Sequence, residues 1–243
     1  MDDHRLFHLF RRLDIRDTLS ADEKQALAEA AGNTVQYSAG SDMSSEGDSP
    51  DRSQLLIGGM AARYNRVESG DRQITAFHIA GDFVDLHGFL LARLDHGVSA
   101  VTDVTVVEFP HVNLTAVTER FPHLTRLLWL STLLDGAIHR QWLVAMGRLS
   151  ALSHMAHLFC EHYLRADTVA LAAGMSFPFN ITQEQLADAL GLSTVHVNRT
   201  IQELRRLGLI SWDGRTVTIH DWERLQQVGQ FDPTFLDLTR SPR

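Results

Sequence analysis

The stretch Ile181–Ile210, ITQEQLADALGLSTVHVNRTIQELRRLGLI, decides the fold of this chain. Thr182 stands where a helix N-cap belongs, with Gln185 three residues later, the arrangement of a capping box. Leu186, Ala187 and Leu190 make one apolar face. Gly191 ends the helix, since the reversal needs the left-handed backbone that glycine adopts without strain. Ser193 then caps a second helix, Thr194–Leu207, that buries Val197, Ile201 and Leu204. Two capped helices joined by a glycine turn are the helix-turn-helix layout. Beyond them, Leu209–Trp212, Asp213-Gly214 and Thr216–Ile219 read as two short strands about a type I′ turn, so the predicted unit is a winged helix.

With Val197, Ile201 and Leu204 turned inward, the opposite face of the second helix carries Val195, Arg199, Gln202 and Arg206, with Thr194 and Asn198 on one flank. A helix laid in a DNA major groove reads base edges with its N-terminal turns, which makes Thr194, Val195, Asn198 and Arg199 the candidate readers. Arg199 can pair bidentately with guanine, and Asn198 can reach adenine or phosphate. An apolar Val195 on an outward face suits a thymine methyl. Thr182, Gln183, Ser193 and His196 sit near helix N-termini, where hydroxyl, amide and ring donors hold phosphates. The plainer alternative is a winged helix that serves protein contacts, with Arg199 a solvated side chain.

Working outward, the pattern before the winged helix is helical over Ala151–Leu164, and Ala170–Pro178 reads as loop. From Phe121 to about Gly147, Leu124, Ser131, Ile138 and Ala145 recur every seventh residue. Leu127, Leu128, Leu134, Trp142 and Leu149 fill the intermediate positions. That stripe predicts a long helix, broad enough to pack on its own chain and to meet a second copy. Between Thr34 and Phe109, strand-length runs such as Gln54–Ile57, Ala62–Arg66 and Gln73–Ile79 alternate with Gly/Asp/Ser turns, the texture of an all-β sandwich or roll. Leu6–Ala31 is helical, with Ser20–Glu23 resembling another capping box. The expected fold is therefore α+β. It has an N-terminal, jelly-roll-like β-roll over 1–120, a long dimerisation helix over 121–149 and a C-terminal winged helix-turn-helix over 150–243.

Composition narrows the function. The 243 residues hold 22 Lys+Arg and 30 Asp+Glu, a formal charge of −8, so nucleic-acid binding must rest on a local patch. Residues 193–207 supply one, with Arg199, Arg205 and Arg206 against Glu203. A single cysteine, Cys160, rules out an internal disulfide, a four-cysteine zinc site and a cysteine-held iron–sulfur cluster. The chain lacks Gly-x-Ser-x-Gly, His-Glu-x-x-His and Walker-type motifs, and its one lysine is Lys24, so no enzyme is expected. With no signal-like start and no apolar run of about 20 residues, a cytoplasmic protein without a membrane partner is expected. Thirteen histidines keep two further readings open. His154, His157 and Glu161 share a helix face that could hold a metal, and His78 or His87 could ligate haem. No metal or cofactor is assigned from the sequence.

Together these elements resemble the Crp/Fnr family of bacterial transcription regulators over roughly Leu6 to Leu225. The specific matches are Glu46-Gly47-Asp48, Leu55–Gly59, Ile79-Ala80-Gly81-Asp82-Phe83 and, above all, Ile181–Ile210. The resemblance implies a homodimer on a two-fold-symmetric double-stranded DNA operator, with RNA polymerase as a further protein partner. It places any small-molecule effector between roll and long helix, for which Arg63, Arg72, Asp85, His87, His139 and Arg140 are candidates; an effector-free regulator, set by expression level alone, is equally compatible with the residues. Cyclic-AMP-binding members carry Gly-Glu after the Gly-Asp-Phe and Arg-Ser before the next strand. Here those regions read Asp85-Leu86 and Leu94-Asp95-His96-Gly97, which gives a cyclic phosphate no fixed cation. Many relatives have glutamate where Val195 stands, whereas Arg199 matches the family position. A ligand-, haem- or metal-sensing module of the same fold, whose winged helix meets protein rather than DNA, remains the alternative.

Overall fold

The computed structural model describes residues 4–242. The chain forms two units, one comprising Met1–Asn65, Ala76–Gly136 and Asp237–Arg243, the other Arg66–Thr75 and Ala137–Leu236.

The first unit opens with helices α1 (Phe7–Asp14) and α2 (Ala21–Ala30). The capping box expected before α2 is made in full: the Ser20 hydroxyl accepts from the Glu23 amide, and the Glu23 carboxylate accepts from the Ser20 amide at 2.8 Å. Seven strands follow: β1 (Thr34–Tyr37), β2 (Asp42–Ser44), β3 (Arg52–Gly58), β4 (Ala61–Arg66), β5 (Arg72–His78), β6 (Gly97–Ala100) and β7 (Val104–Pro110). They form two sheets of order β1-β7-β3 and β2-β6-β4-β5. A 3-10 turn at Leu86–Phe89 lies between β5 and β6. Helix α3 (His111–Arg120) leads into α4 (Pro122–Arg148). One apolar core joins Leu6, Leu9 and Leu27 to Leu55, Phe109, Leu114, Leu124 and Leu127; a second gathers Leu56, Val84, Val98 and Val106. Each such side chain contributes about 1.5–3 kcal/mol on burial.

Helix α4 carries two apolar rows. Of the seven-residue stripe of the sequence, Leu124, Leu127, Leu128, Leu134, Ile138, Trp142 and Ala145 are buried within the chain, and Ser131 and Leu149 are half-buried. A separate row faces outward: Trp129 is 65% exposed, Leu133 53% and Leu143 60%. With Gly136, Arg140 and Gly147 these positions recur at alternating steps of four and three residues, the spacing of a coiled-coil seam.

The second unit holds Arg66–Thr75, with the last residue of β4 and the start of β5, the C-terminal part of α4, then α5 (Ala151–Thr168), β8 (Ser176–Pro178), α6 (Gln183–Leu190), α7 (Thr194–Arg206), β9 (Ile210–Trp212), β10 (Thr216–Ile219) and α8 (Trp222–Gly229). Ala170–Pro178 is not all loop. Its last three residues form β8 and pair with β10, giving a sheet of order β8-β10-β9. Three residues carry too little alternation to announce a strand, and the pairing partner supplies the order. The wing turn also sits one residue further on than the sequence suggests. Its centre is Gly214-Arg215, since the Asp213 amide donates to the Thr216 carbonyl. Positive φ falls on Gly214 alone (93°), the requirement of a II′ turn rather than I′. The Asp213 carboxylate accepts from the amides of Arg215 and Thr216 at 2.8 Å each, which holds this register.

Candidate nucleic-acid interface and the polar cluster of the roll

Helix α6 begins with the capping box that the sequence promises. Gln185 Oε1 accepts from the Thr182 amide at 2.8 Å, and the Thr182 hydroxyl accepts from the Gln185 amide at 3.1 Å. Gly191 ends the helix at φ 65°, in the left-handed region. The Ser193 hydroxyl accepts from the His196 amide and starts α7. Beneath lies an aromatic platform: Phe159, Phe179 and Trp212 meet edge to face or tilted, and Trp212 Nε1 donates to the Phe179 carbonyl at 3.1 Å. Val197, Ile201 and Leu204 of α7 are buried, as expected. Thr200 joins them and donates its hydroxyl to the His196 carbonyl at 2.9 Å.

The expected DNA-facing set is therefore held outward. Thr182, Gln183, Ser193, Thr194, His196, Asn198 and Arg199 are exposed, and Val195 is 69% exposed. Asn198 Nδ2 donates to Gln183 Oε1 at 3.3 Å, linking the starts of the two helices. The arginines differ sharply. Arg206 is clasped by Glu203 at 2.6 and 2.8 Å, and Arg205 donates to the Trp212 carbonyl. Arg199 has no ion-pair or hydrogen-bond partner among the described residues, so its guanidinium fork is available. Arg215, exposed on the wing turn, was not singled out in the sequence; a basic residue after Asp-Gly was the available signal.

The six effector candidates divide between the units. Arg72, His139 and Arg140 fall in the second. Arg72 Nη2 lies 2.8 Å from Asp188 of α6, and Gln73 Nε2 donates to the Asp188 carbonyl at 2.6 Å. His139 is half-buried and Arg140 exposed. Arg63, Asp85 and His87 fall in the first unit. The Arg63 guanidinium is buried and donates to Asp135 of α4 at 2.8 Å and to the Val84 carbonyl at 3.3 Å. Burial alone would raise the Asp135 carboxyl, but Arg63 outweighs it and holds it below the usual range. Asp85 is buried and accepts from the Gln54 amide at 2.7 Å; burial pushes its carboxyl up to about 6. His87 and His96 face each other with their Nε2 atoms 2.6 Å apart. Burial, then the charge of Arg63, lowers both imidazoles, that of His96 to about 4. Asp95 and His96 enter the sequence reading only as the place where a phosphate-binding cation is missing, and Asp135 not at all, because nothing in linear spacing couples a loop to a helix forty residues away.

The metal and haem readings fare differently. The atoms of His154, His157 and Glu161 do not converge among the described residues: Glu161 accepts from Trp142 Nε1 at 2.8 Å and Arg165 at 2.9 Å, while His157 Nδ1 faces the Gly229 carbonyl. His78 is buried, its Nδ1 3.9 Å from the Asp82 carboxylate. Among the described residues no helix is long and apolar enough to cross a membrane.

Comparison with known proteins agrees with this architecture. The Crp-like helix-turn-helix domain family matches residues 153–228, and the cyclic nucleotide-binding domain family matches residues 34–121. The transcriptional activator protein FnrL of Cereibacter sphaeroides is 30% identical over 193 residues, 78% of this chain and 77% of that protein. The nitrogen fixation regulation protein FixK of Bradyrhizobium diazoefficiens is 29% identical over 201 residues, 82% of this chain and 83% of that protein. In fold, the structure of FixK2 from Bradyrhizobium japonicum superposes with a TM-score of 0.73 at 22% identity, covering 82% of this chain and 96% of that one.

Proposed function

The chain belongs to the Crp/Fnr family of DNA-binding transcription regulators, not enzymes, and from that premise we propose that it acts in the cytoplasm as a homodimer on a two-fold-symmetric operator. Residues 1–120 serve as sensor, 121–149 as the dimerising helix and 150–243 as the DNA-binding domain. The observation that carries the reading is the outward face of α7, where Arg199, unpartnered among the described residues, and an exposed Val195 stand on a helix locked from below. Each protomer inserts one α7 into the major groove, the half-sites about 34 Å apart. Arg199 pairs with guanine and Val195 packs on a thymine methyl, while Thr194 and Asn198 reach adjacent base edges. Thr182, Gln183, Ser193 and His196 take phosphates, which fix register and not sequence. The outward row of α4, with Trp129, Leu133 and Leu143, supplies the apolar seam for the second copy.

The effector is not cyclic AMP on this reading. Asp85 is buried and pinned by Gln54, and the neighbouring cation, Arg63, is engaged by Asp135, so a cyclic phosphate meets a carboxylate instead of a cation. RNA polymerase is the protein partner expected of a promoter-bound dimer.

Selection of bound duplexes from a random pool, followed by a salt titration, tests the proposal. A palindromic site with guanine and thymine at fixed half-site positions, and a steep fall of log K with log salt, is the expected result. No enrichment and no salt dependence would overturn it.

A further inference from the structure

We propose that His87, His96 and Asp95 form a binding site for a first-row transition-metal ion in the first unit. Their ligand atoms all lie within 4.8 Å of one another. The two imidazoles aim the same nitrogen at one point: Nε2 to Nε2 is 2.6 Å, with the rings tilted by 58°. His96 Nδ1 lies 3.4 Å from the Gly97 carbonyl. A proton on that nitrogen leaves Nε2 with its lone pair facing His87, the tautomer a metal requires and the outer partner that metal-bound histidines commonly have. Asp95 Oδ1 stands 3.8 Å from His96 Nε2. Its side chain is exposed and can swing inward as the third ligand.

The backbone around the cluster is already fixed. Asn65 Nδ2 donates to the Asp95 carbonyl at 2.8 Å, and the amides of Leu94 and Gly47 bond across to Asp48 and Leu94. The site therefore costs little ordering on metal uptake. At metal–nitrogen bonds of about 2.1 Å, two adjacent nitrogens sit about 3.0 Å apart on an octahedral ion and about 3.4 Å apart on a tetrahedral one. From 2.6 Å, the octahedral arrangement needs the smaller opening, and the remaining positions are left to water. Two imidazoles and one carboxylate suit Fe²⁺, Co²⁺, Ni²⁺ or Zn²⁺ and disfavour the oxygen-seeking Mg²⁺ and Ca²⁺. The site stands on this geometry and is independent of the DNA-binding proposal.

Cobalt(II) chloride added to EDTA-treated full-length protein is the probe, read by its visible d–d bands. The wild-type chain is expected to take one equivalent with a spectrum bearing nitrogen ligation. His87→Gln and His96→Gln abolish that spectrum. Asp95→Asn, at an exposed position that should leave folding intact, weakens binding at least about tenfold. The wild type binding no cobalt, or the His87→Gln/His96→Gln double variant retaining wild-type spectrum and affinity, would overturn the assignment. If His96→Gln does not fold, as judged by circular dichroism, His87→Gln and Asp95→Asn decide: unchanged cobalt binding in both overturns it, and loss in both supports it.

Discussion

Arg63 Nη1 and Asp135 Oδ2 meet at 2.8 Å, and through this pair strand β4 is tied to helix α4 inside the first unit. Arg63 is nearly enclosed, while Asp135 keeps some access to solvent. Truncating the arginine leaves a half-buried carboxylate without its cation. Arg63→Met should therefore lower unfolding stability by about 2–3 kcal/mol. Adding Asp135→Leu should recover part of that loss, since the stranded charge is gone. Urea unfolding of both single variants and the double closes the cycle; strictly additive effects would show that the pair is not coupled.

Removal of the Arg199 fork should cost operator affinity about 1–3 kcal/mol and relax preference at a single base pair. Equal loss on specific and random duplexes, measured by gel shift at fixed salt, would identify Arg199 as a phosphate contact instead.

Val195 is mostly exposed, so replacing it perturbs reading and not packing. Val195→Glu should move the selected base from thymine toward cytosine on the partner step, because glutamate accepts from the cytosine amino group. An unchanged site from random-pool selection speaks against the thymine contact.

The outward row of α4 predicts a clean separation of folding from assembly. Trp129→Glu and Leu143→Glu alter positions 65% and 60% exposed in the single chain. Both should leave the thermal midpoint of the isolated chain nearly unchanged while driving sedimentation to the monomer. Dimers persisting in both variants would place the interface elsewhere.

A pH signature should come from His123, which sits between Glu23 at 2.7 Å and Asp17 at 3.1 Å. Burial would lower this imidazole, but its hydrogen bonds to the two carboxylates outweigh that and hold it above its usual value. A raised folded value means the folded state binds the proton more readily. The contribution is complete below about pH 6.5 and is lost as pH rises through the higher folded value. Between neutral and mildly alkaline pH, the urea midpoint of the wild type should fall by more than that of His123→Gln; parallel curves would contradict the assignment.

The winged helix was legible because each of its features is local. A capping box, a glycine stop and a stripe of inner apolar residues lie within thirty positions, and local backbone chemistry fixes them. The same locality exposed Val195 and Arg199. Two features escaped for the opposite reason. Strand β8 gains its order from β10, some forty residues away, and the Gly214-Arg215 turn is set by how Asp213 caps the two amides beyond it. On α4 the seven-residue repeat was visible but its direction was not, since two interleaved rows share the helix and only packing reveals which one turns inward. The His87–His96 contact joins a 3-10 turn to a neighbouring loop, and spacing alone does not say that two histidines nine residues apart will aim at one point.

A helix that satisfies its own chain along one side and leaves a tryptophan and two leucines bare along the other makes the dose of the regulator part of its output. With the dimer proposed above, operator occupancy would grow with the square of the chain's abundance while copies are scarce, so a twofold rise in synthesis would raise it about fourfold.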